Sequence, residues 1–430
     1  MLSVEEAVGR CLEATRPVLV EEVPLEAAFG RVLARDLYSG VPLPLWHNSA
    51  MDGYAVRSAD FTASNEVSSC DAPAAEGDGV VLRVLETIAA GRVGARPLTP
   101  LTASRIMTGA PMPEGADAVI MRENSAPWPD GPDGEPRVLL RGGATAGQHV
   151  RRAGEELAQG AKILSAGATL SPAAVGLCAS VGLSAVPVAR RPRVAIISTG
   201  DEIAAPGAPL GPGQIWSSNT LTLCGLVLEA GGVPVDCGVA PDTLAGTRAV
   251  FQRALGCDLI LSTGGVSVGD FDVVKQVFAE EGADMRFWRV RMKPGKPLAF
   301  GFLAGRPLFG LPGNPVGTFV NFLQFVRPVL RLSLGDPRPY LPVVDAFIEG
   351  DLSRHTGREE LIRVSLRWDG GRLLARPTGR QGSSQMSGVS QGHGFALIAS
   401  ERAQLRDGEP VAVQIFDPSF GSSDAPSYRW

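Results

Sequence analysis

Four positively charged side chains lie within one short stretch of the sequence, RVRMKPGKP, which runs from Arg289 to Pro297. Arg289, Arg291 and Lys293 alternate at the spacing of a β-strand and are therefore predicted to share one face. Lys296 follows a Pro-Gly turn that returns the chain towards the same edge. The whole chain has a formal net charge of −5, so this positive charge is a local feature. Such cations either protect an exposed sheet edge or bind an oxyanion.

Glycine-rich turns occur where three apolar runs end and helical patterns begin: STGDE (198–202), STGGVSVGDFD (262–272) and GLPGNP (310–315). Glycine lets backbone N–H groups approach an anion closely, and the N-terminus of a following helix favours negative charge. A single turn of this kind is explained by the end of a strand, whereas three turns at one edge predict an anion site. Its candidate residues are Ser198, Thr199, Gly200, Gly264, Gly265, Ser267, Pro312, Gly313, Asn314 and Pro315.

The same turns carry the carboxylates Asp201, Glu202, Asp270 and Asp272. Mg²⁺ binds a few carboxylates together with water and phosphate oxygens, so acids beside an anion site indicate metal-assisted chemistry. The other interpretation is that these acids cap helices or stabilise their first turns. Both interpretations stand for Asp270, whereas the metal-ligand interpretation is favoured for Asp272. The residues alone therefore predict a Mg²⁺-assisted reaction on a small phosphorylated or oxyanionic substrate.

The elements that would position these residues repeat along the second half of the chain. Buried strands are predicted at 193–199, at 258–263 and within 307–315, and helical patterns follow at 221–230, 273–281 and 316–332. A strand, a glycine turn and a helix in repetition predict a doubly wound parallel sheet. Ligands of such a sheet bind beyond the carboxyl ends of its strands, which is where the glycine turns fall.

Other segments predict different elements. Ser3 and Glu6 form a capping-box pattern at the start of an amphipathic helix. Short apolar runs broken by Gly and Pro from residue 41 to 141 predict a β-rich unit, with a surface loop at 126–136. Strict alternation at 362–368, followed by the turn DGG, predicts a hairpin in a small β-barrel or sandwich.

Composition argues against several classes of protein. A chain of 430 residues is too long for one hydrophobic core and predicts about three or four domains. A sequence pI of 5.6 argues against general nucleic-acid binding. Six cysteines without a C-x-x-C pair and four scattered histidines are typical of reduced thiols rather than of a zinc site or disulfide scaffold. The uncharged stretch 163–189 is too rich in Gly and Pro for a membrane span, and no signal peptide is evident.

Three familiar kinds of site lack their sequence motifs. A G-x-x-x-x-G-K-[ST] motif is absent, which disfavours P-loop nucleotide hydrolysis. A G-x-G-x-x-G motif after the first sheet strand is also absent, which disfavours nicotinamide binding. The histidines show no arrangement typical of a Ser-His-Asp triad.

Seven segments, in order along nearly the whole chain, carry a family resemblance. They are NSAMDGYAV (48–56), TGAPMPEGADAV (108–119), RRAGEELAQG (151–160), STGDEI (198–203), STGGVSVGDFD (262–272), MKPGKP (292–297) and GLPGNPVG (310–317). On these motifs the sequence resembles the molybdopterin molybdenumtransferases, the MoeA family, to which the E domain of gephyrin is similar. Members of this family insert molybdenum in the last step of molybdenum cofactor synthesis.

The resemblance implies an α/β multidomain protein with four domains. Residues 1–40 and 145–190 would form an elongated, discontinuous domain I, and residues 41–144 a β-rich inserted domain II. Residues 191–335 would form a doubly wound, MogA-like molybdopterin-binding domain III, and residues 338–418 a C-terminal β-barrel domain IV. The family also implies a cytoplasmic homodimer with its active site in a cleft between the subunits.

The reaction that the resemblance implies takes adenylylated molybdopterin and molybdate, with Mg²⁺, to molybdenum cofactor and AMP. Two other hypotheses stand beside it: a non-catalytic dimeric scaffold or cofactor carrier of the gephyrin type, and a molybdopterin adenylyltransferase, which needs only the sheet domain. The implied protein partners are a molybdopterin adenylyltransferase and apo-molybdoenzymes or their chaperones. Neither nucleic acid nor a membrane is an expected partner.

Matched residue by residue, the family motifs imply a set of site residues. The implied catalytic residues are Asp52, Thr108, Glu202, Asp242, Asp272, Lys293 and Lys296. Among these, Glu202, Asp242 and Asp272 are the implied Mg²⁺ ligands. The motifs also imply Pro294 and three barrel residues that face the cleft, Arg363, Ser383 and Ser384, as anion-binding residues. Arg289 and Arg291 join this set as cations of the stretch RVRMKPGKP itself. From the sequence alone, Asp52 is also explained as a turn residue before Gly53.

The sequence departs from the family pattern at two positions. Gly317, in LPGNPVG, stands where many members have serine, so one hydroxyl expected near the oxyanion is missing. His47, in LWHNSAMDG, stands where an acidic residue is common, which changes the local charge.

Overall fold

The structure is a computed structural model that describes residues 1–13, 15–62, 79–132, 134–265 and 273–422. These residues form three six-stranded sheets, several two-stranded pairings and nine α-helices. The third six-stranded sheet lies within residues 292–415, and five of its strands close on themselves as a barrel. The predicted α/β multidomain fold is confirmed.

The described part of the first 190 residues contains twelve strands of two to ten residues and three α-helices. In chain order they are α1 (Val4–Glu13), β1 (Val20–Pro24), β2 (Leu37–Tyr38), β3 (Asn48–Ser49), β4 (Gly53–Val56), α2 (Ala59–Thr62), β5 (Gly79–Ile88), β6 (Thr102–Ile106), β7 (Ala118–Met121), β8 (Ser125–Trp128), β9 (Arg137–Arg141), β10 (Val150–Arg151), β11 (Lys162–Leu164), α3 (Pro172–Ser180) and β12 (Ala185–Ala189). Strands β4 to β9 form one sheet, in the order β7-β4-β6-β5-β9-β8. The pairs β1–β12 and β2–β11 join the chain before this sheet to the chain after it.

Helix α1 begins with the predicted capping box. The Ser3 backbone N–H donates to Glu6 Oε2 at 2.8 Å, and the Glu6 N–H donates to Ser3 Oγ at 3.1 Å. These two bonds satisfy N–H groups that a helix start leaves without partners. The helix buries Ala7 and Cys11 in the core of the sheet of the second half of the chain. Its apolar stripe therefore packs on that sheet and not on residues 145–190.

The second half of the chain begins with alternating strands and helices. They are β13 (Arg193–Thr199), β14 (Ile203–Ala204), β15 (Ile215–Trp216), α4 (Asn219–Glu229), β16 (Val233–Ala240), α5 (Leu244–Ala254), β17 (Leu259–Thr263), α6 (Val273–Glu280), β18 (Asp284–Arg289), β19 (Met292–Lys293), β20 (Pro297–Leu303), β21 (Arg306–Leu311), α7 (Pro315–Asn321) and α8 (Arg327–Ser333), with a π-helical turn at Phe322–Val326 between the last two.

Helices cover both faces of this second sheet. Val194 and Ile196 of β13 pack with α4 and α7 on one face, whereas Ala195 and Ile197 pack with α5 and α6 on the other. The sheet order is β16-β13-β17-β21-β20-β18. The first four strands are parallel, as the doubly wound prediction requires. The last two are not, since β20 runs antiparallel to both β21 and β18, so the sheet is mixed.

The C-terminal region forms the barrel. Its elements are β22 (Val343–Ile348), β23 (Leu352–Ser353), β24 (Glu359–Asp369), β25 (Arg372–Pro377), α9 (Ser387–Ser390), β26 (Gly394–Ile398), β27 (Gln404–Leu405) and β28 (Pro410–Ile415). The predicted hairpin is confirmed, because Asp369 of β24 pairs with Arg372 of β25 across the DGG turn. The short strand β19, which precedes the barrel in sequence, pairs with β24.

The described cysteines, Cys11, Cys178, Cys224, Cys237 and Cys257, carry free thiols. Burial raises the pKa of all five thiols, which keeps them protonated and weakly reactive. Among the helices built from described residues, none combines the length and the apolar character that a membrane crossing requires.

Candidate functional site

The carboxyl ends of the parallel strands lie side by side at one edge of the second sheet. Ser198 of β13 is in register with Thr263 of β17, and Thr263 is in register with Leu311 of β21. The turn after β17 is held against β21, since the Gly264 N–H donates to Leu311 O at 3.1 Å. The three glycine turns of the sequence therefore start at neighbouring positions on one rim.

Asn219, the first residue of α4, connects two of these turns. Its Nδ2 donates to Thr263 Oγ1 at 2.8 Å and to Gly313 O at 2.9 Å. Thr263 Oγ1 in turn donates to Pro312 O at 3.1 Å. The sequence analysis missed Asn219 as a site residue. The run SSN before an apolar helical pattern was its signal, because these residue types mark a helix start.

A cavity of about 500 Å³ opens at this rim, a size typical of small-molecule sites. Its wall includes the predicted residues Ser198, Thr199, Glu202, Gly264, Gly313, Asn314, Pro315 and Ser384. It also includes residues that the sequence analysis missed, namely Ile203, Ile215, Trp216, Ser217, Ser218, Asn219 and Thr263. Hydroxyl, amide and glycine backbone groups share the wall with the apolar side chains of Ile203, Ile215 and Pro315, and Trp216 is its one aromatic side chain among the described lining residues. The wall suits a ligand that has both polar and apolar parts.

Gly264 occupies a position that no other residue fits. Its φ is +91°, and a Cβ atom there would lie 2.6 Å from Thr199 Oγ1 and 2.8 Å from Thr199 O. Left-handed backbone costs an L-residue about 1–2 kcal/mol, and the contact with Thr199 adds to this. The turn after β17 can thus approach β13 only because residue 264 is glycine.

We expect Gly264→Ala to lower the midpoint of urea unfolding, and to lower it more than Gly160→Ala does. Gly160 is the matched control, because it also has a positive φ of +80° but no atom within 4 Å of a Cβ. The control should lose about 1 kcal/mol from backbone strain alone. Unfolding of both variants is followed by tryptophan fluorescence. Equal midpoints would contradict the close approach of residue 264 to Thr199.

The acidic residues of the rim are only partly described. Asp201 and Asp242 bond reciprocally, the Asp242 N–H donating to Asp201 Oδ1 at 3.2 Å and the Asp201 N–H to Asp242 Oδ2 at 3.4 Å. Glu202 lines the cavity. Asp270, Asp272 and Ser267 lie outside the described residues, and residue ranges that are described hold no group of three potential metal ligands. Glu202 and Asp242 offer the oxygen ligands that Mg²⁺ prefers, and a complete set would require Asp272.

The cation-rich stretch forms a hairpin, as its Pro-Gly turn predicts. Arg289 of β18 pairs with Pro297 of β20, and the Val290 N–H donates to Lys296 O at 3.0 Å. Exposed Arg289, Arg291 and Lys293 alternate with buried Val290 and Met292. The alternation in exposure agrees with the prediction, but β18 ends at Arg289 and β19 begins at Met292 in another sheet. A face shared by all three cations therefore stays a prediction.

Two of these cations contact carboxylates of the barrel. Lys293 Nζ lies 2.7 Å from Glu360 Oε1, and Arg291 Nε lies 3.9 Å from Glu359 Oε2. Met292 and Lys293 pair with Glu359 and Glu360 in a parallel ladder. Because β24 pairs with one side of β19 and β19 is the outermost strand of its sheet among the described residues, edge protection and oxyanion binding both remain open for Lys293.

The loop of the cation-rich stretch (289–297), called the Lys293 loop below, packs directly on the third glycine turn, GLPGNP (310–315). A Cβ at Gly317 would lie 2.9 Å from Pro312 Cγ and 3.6 Å from Gly295 Cα. Gly317, the first departure from the family pattern, thus lies at the contact between the two loops. A side chain at this position would push Pro312 away. A Cβ at Gly295, whose φ is +100°, would lie 2.5 Å from Asn321 Oδ1. Small residues therefore let the Lys293 loop reach the rim.

Asp52 and Thr108, the predicted residues of the inserted sheet, bind each other. The Thr108 N–H and Oγ1 donate to Asp52 Oδ1 at 2.7 and 2.8 Å. These two bonds hold the pKa of the Asp52 carboxyl below its ordinary value. Gly53 is required beside it, because a Cβ there would lie 2.0 Å from Ile120 O. Asp52 is therefore both a turn residue before Gly53 and the partner of Thr108 in the family motif, within one tightly packed structure.

His47, the second departure from the family pattern, binds the backbone of a neighbouring segment. Its Nδ1 accepts a hydrogen bond from the Ala153 N–H at 3.1 Å. A nitrogen that accepts a hydrogen bond carries no proton in that contact. The histidine thus adds a structural bond at the position where the resemblance implies that an acidic residue is common.

Arg363 does not face an open cleft. It is fully buried in β24, where its Nη2 donates to Arg380 O at 2.8 Å and its Nε and Nη1 find no partner within the described chain. Burial lowers its pKa. The expectation that Arg363 faces the cleft is corrected, because the segment 378–388 folds over it.

The other two predicted barrel residues do reach the rim. Ser383 O accepts a hydrogen bond from the Val316 N–H at 3.1 Å, and Ser384 lines the cavity. The segment that covers Arg363 is therefore the one that brings the barrel to the third glycine turn.

Comparisons with known proteins match this architecture along the whole chain. Family models describe residues 2–182 as the MoeA N-terminal region (domain I and II), residues 195–332 as a probable molybdopterin binding domain and residues 348–416 as the MoeA C-terminal region (domain IV). Molybdopterin molybdenumtransferase 2 of Mycobacterium tuberculosis is 39% identical over 422 residues, which cover 96% of this chain and 99% of that protein. The chain belongs to the MoeA family.

Further relatives share the full MoeA length. The molybdopterin molybdenumtransferase of Bacillus subtilis is 32% identical over 98% of this chain and 95% of its own. The crystal structure of the molybdopterin biosynthesis MoeA protein of Pyrococcus horikoshii superposes with a TM-score of 0.81 at 30% identity. That superposition covers 96% of this chain and 99% of the Pyrococcus chain.

Proposed function

We propose that this MoeA-family chain inserts molybdenum from molybdate into adenylylated molybdopterin and releases AMP, in a reaction that requires Mg²⁺. The observation that carries the proposal is the cavity of about 500 Å³ at the carboxyl ends of the parallel strands. Three glycine turns meet there, and the Lys293 loop packs on one of them through Gly295 and Gly317. Such a rim is where an α/β sheet binds phosphorylated ligands.

The residues of the rim divide into donors for anions and ligands for a cation. The Ser198 hydroxyl and backbone N–H groups of the glycine turns would hold phosphate oxygens in the cavity. Lys293 and Lys296 would bind the molybdate oxyanion, which is a substrate and not a resident cofactor. Glu202, Asp242 and Asp272 would hold Mg²⁺, which when bound supplies positive charge at the pyrophosphate link. Fixed donors aimed at developing negative charge are the means by which such a site lowers the barrier.

A second copy of the chain would complete the site. No residue of 41–144 is among the described residues that line the cavity, yet Asp52 and Thr108 are bound together in that region. In a homodimer with the active site between subunits, the inserted domain of one protomer would bring this pair to the cavity of its partner. This arrangement explains why the Asp52–Thr108 pair lies on the inserted sheet, whereas the cavity lies at the rim of the second sheet of the same chain.

The test is release of AMP from adenylylated molybdopterin by the purified protein. We expect AMP only when molybdate and Mg²⁺ are both present, with one equivalent of molybdenum bound to pterin for each AMP. Omission of molybdate and addition of a chelator are the matched controls. No AMP under any of these conditions would contradict the proposal and favour the gephyrin-type scaffold.

A further inference from the structure

We propose that Glu360 is a positioning residue that aims the ammonium group of Lys293 at the bound oxyanion. The proposal rests on the function proposed above and adds to it a residue from the barrel. Glu360 lies on β24, outside every motif that the sequence analysis singled out.

Both oxygens of Glu360 are bound to cations. Oε1 lies 2.7 Å from Lys293 Nζ, and Oε2 lies 2.7 Å from Arg354 Nε. The Glu360 side chain is 7% exposed and that of Arg354 is 4% exposed. A buried carboxylate whose two oxygens are both engaged has one orientation, so it offers Lys293 a fixed acceptor.

Arg354 is itself held rigidly on the far side of Glu360. Its Nη1 donates to Ala399 O at 2.8 Å and to Arg402 O at 2.6 Å, and its Nη2 donates to Arg358 O. The guanidinium therefore has partners on all three nitrogens. Because the guanidinium is planar and is bonded to the barrel backbone, it holds the Glu360 carboxylate in a fixed position relative to that backbone.

The Glu360 carboxylate is ionised despite its burial. Burial by itself raises the pKa of Glu360, but the hydrogen bonds and charges of Lys293 and Arg354 outweigh it and hold that pKa below its ordinary value. The cluster of one carboxylate and two cations keeps a net charge of +1. It therefore remains attractive to an anion.

Lys293 keeps donors for a ligand in this arrangement. An ammonium group has three N–H donors, and Glu360 Oε1 is the acceptor that the described part of the chain provides. The Lys293 side chain is 47% exposed, in contrast to the buried side chains of Glu360 and Arg354. Lys293 and Arg354 together stabilise the buried charge of Glu360. The same bond also fixes the direction of the Lys293 ammonium group, because the carboxylate that accepts it is held by Arg354.

The backbone reinforces this direction. Lys293 and Glu360 are register partners in the parallel β19–β24 ladder, and the Glu359 N–H donates to Arg291 O at 3.1 Å. The barrel thus fixes the position of both the main chain and the side chain of Lys293. Glu360 therefore acts on the rim of the sheet through Lys293 and not by contact with the substrate.

The test replaces Glu360 with glutamine, which keeps the shape of the side chain and an acceptor for Arg354. We expect kcat for AMP release to fall by about tenfold or more, since misplacement of a reacting group by about 1 Å can cost a hundredfold. The KM for molybdate should stay within about threefold or fall, because removing a negative charge does not weaken attraction to an anion. General damage to the site would instead raise this KM.

Glu359→Gln is the matched control on the same strand. Glu359 is 28% exposed and lies 3.9 Å from Arg291, so its loss should change kcat by less than about twofold, as for exposed ion pairs. The proposal is overturned if Glu360→Gln behaves like this control, or if its KM for molybdate rises in step with the fall in kcat. Absence of AMP release by the wild-type protein would instead remove the proposed function itself.

A double-mutant cycle separates positioning from stability. In a Lys293→Ala background, Glu360→Gln should cause little further loss of the residual activity, because interacting residues are not additive. A loss by the same factor in both backgrounds would show that Glu360 acts through the barrel and not through Lys293. Thermal unfolding of each variant is measured alongside.

Discussion

Replacing Lys293 with alanine is expected to reduce the kcat for AMP release by at least about a hundredfold, the usual effect of removing one fixed donor for a developing anion. The side chain is 47% exposed, so no cavity forms in a core and folding should be intact. Glu360 keeps its bond to Arg354 at 2.7 Å, which prevents an unpaired buried charge. Circular dichroism and AMP release measure the two effects separately.

Lys162→Ala is the matched control for this variant. Lys162 is 46% exposed and lies 2.6 Å from Asp36 Oδ2, so it resembles Lys293 in exposure and in having a carboxylate partner. Lys162 lies in the β2–β11 pair, whereas the loop of Lys293 packs on the third glycine turn through Gly295 and Gly317, so the loss of Lys162 should leave kcat unchanged. Wild-type turnover in Lys293→Ala would show that the Lys293 loop does not bind molybdate.

Asp272→Asn is expected to reduce AMP release as strongly as Lys293→Ala, while leaving folding intact. The residue lies outside the described part of the chain, so this expectation rests on the motif STGGVSVGDFD and on the carboxylate that Mg²⁺ binding requires. Raising the Mg²⁺ concentration should restore part of the activity if the lost oxygen is a metal ligand. Full activity at low Mg²⁺ would exclude Asp272 from the metal site.

Mixing two inactive variants is expected to restore activity. If Asp52 from one protomer and Lys293 from its partner serve one site, an Asp52→Asn/Lys293→Ala heterodimer has one site with both lesions and one with neither. Such a heterodimer should show about half the wild-type activity, because a two-fold dimer has two equivalent sites. Co-expression with two different tags, followed by tandem purification and the AMP assay, measures it.

The control for complementation uses two lesions on the same side of the interface. Asp52 and Thr108 are hydrogen-bonded within one protomer, so an Asp52→Asn/Thr108→Val heterodimer has one lesion in each site. No activity should return in that pair. Equal recovery in both pairs, or in neither, would contradict a site shared between protomers.

The sequence by itself determined the local features of this protein. The capping box of Ser3 and Glu6, the hairpin at 369–372 and the alternation of Arg289, Arg291 and Lys293 all depend on residues close together in the chain. Such features follow from the periods of helices and strands and from turn chemistry. The glycine turns could be placed at one rim because parallel strands end on the same side of a sheet.

Some elements escaped prediction because neighbouring residues do not encode them. The sequence analysis missed strand β16 and helix α5, where apolar residues are interrupted by polar ones, and it missed the antiparallel strands β18 and β20. Strand direction depends on the partner with which a strand pairs, and β20 pairs with β18 and β21 across short turns. Cross-strand partners therefore determine which segments become strands, and in which direction, where residue propensities do not.

Only the tertiary structure decided the electrostatic surroundings of the site. Arg363 is buried under the segment 378–388 and does not face a cleft, while Glu360 reaches Lys293 across 67 positions of sequence by pairing of β19 with β24. Asn219 joins turns that lie 44 and 94 positions away. Charge and hydrogen-bond energies depend on distances and burial, and folding sets both by bringing remote segments together.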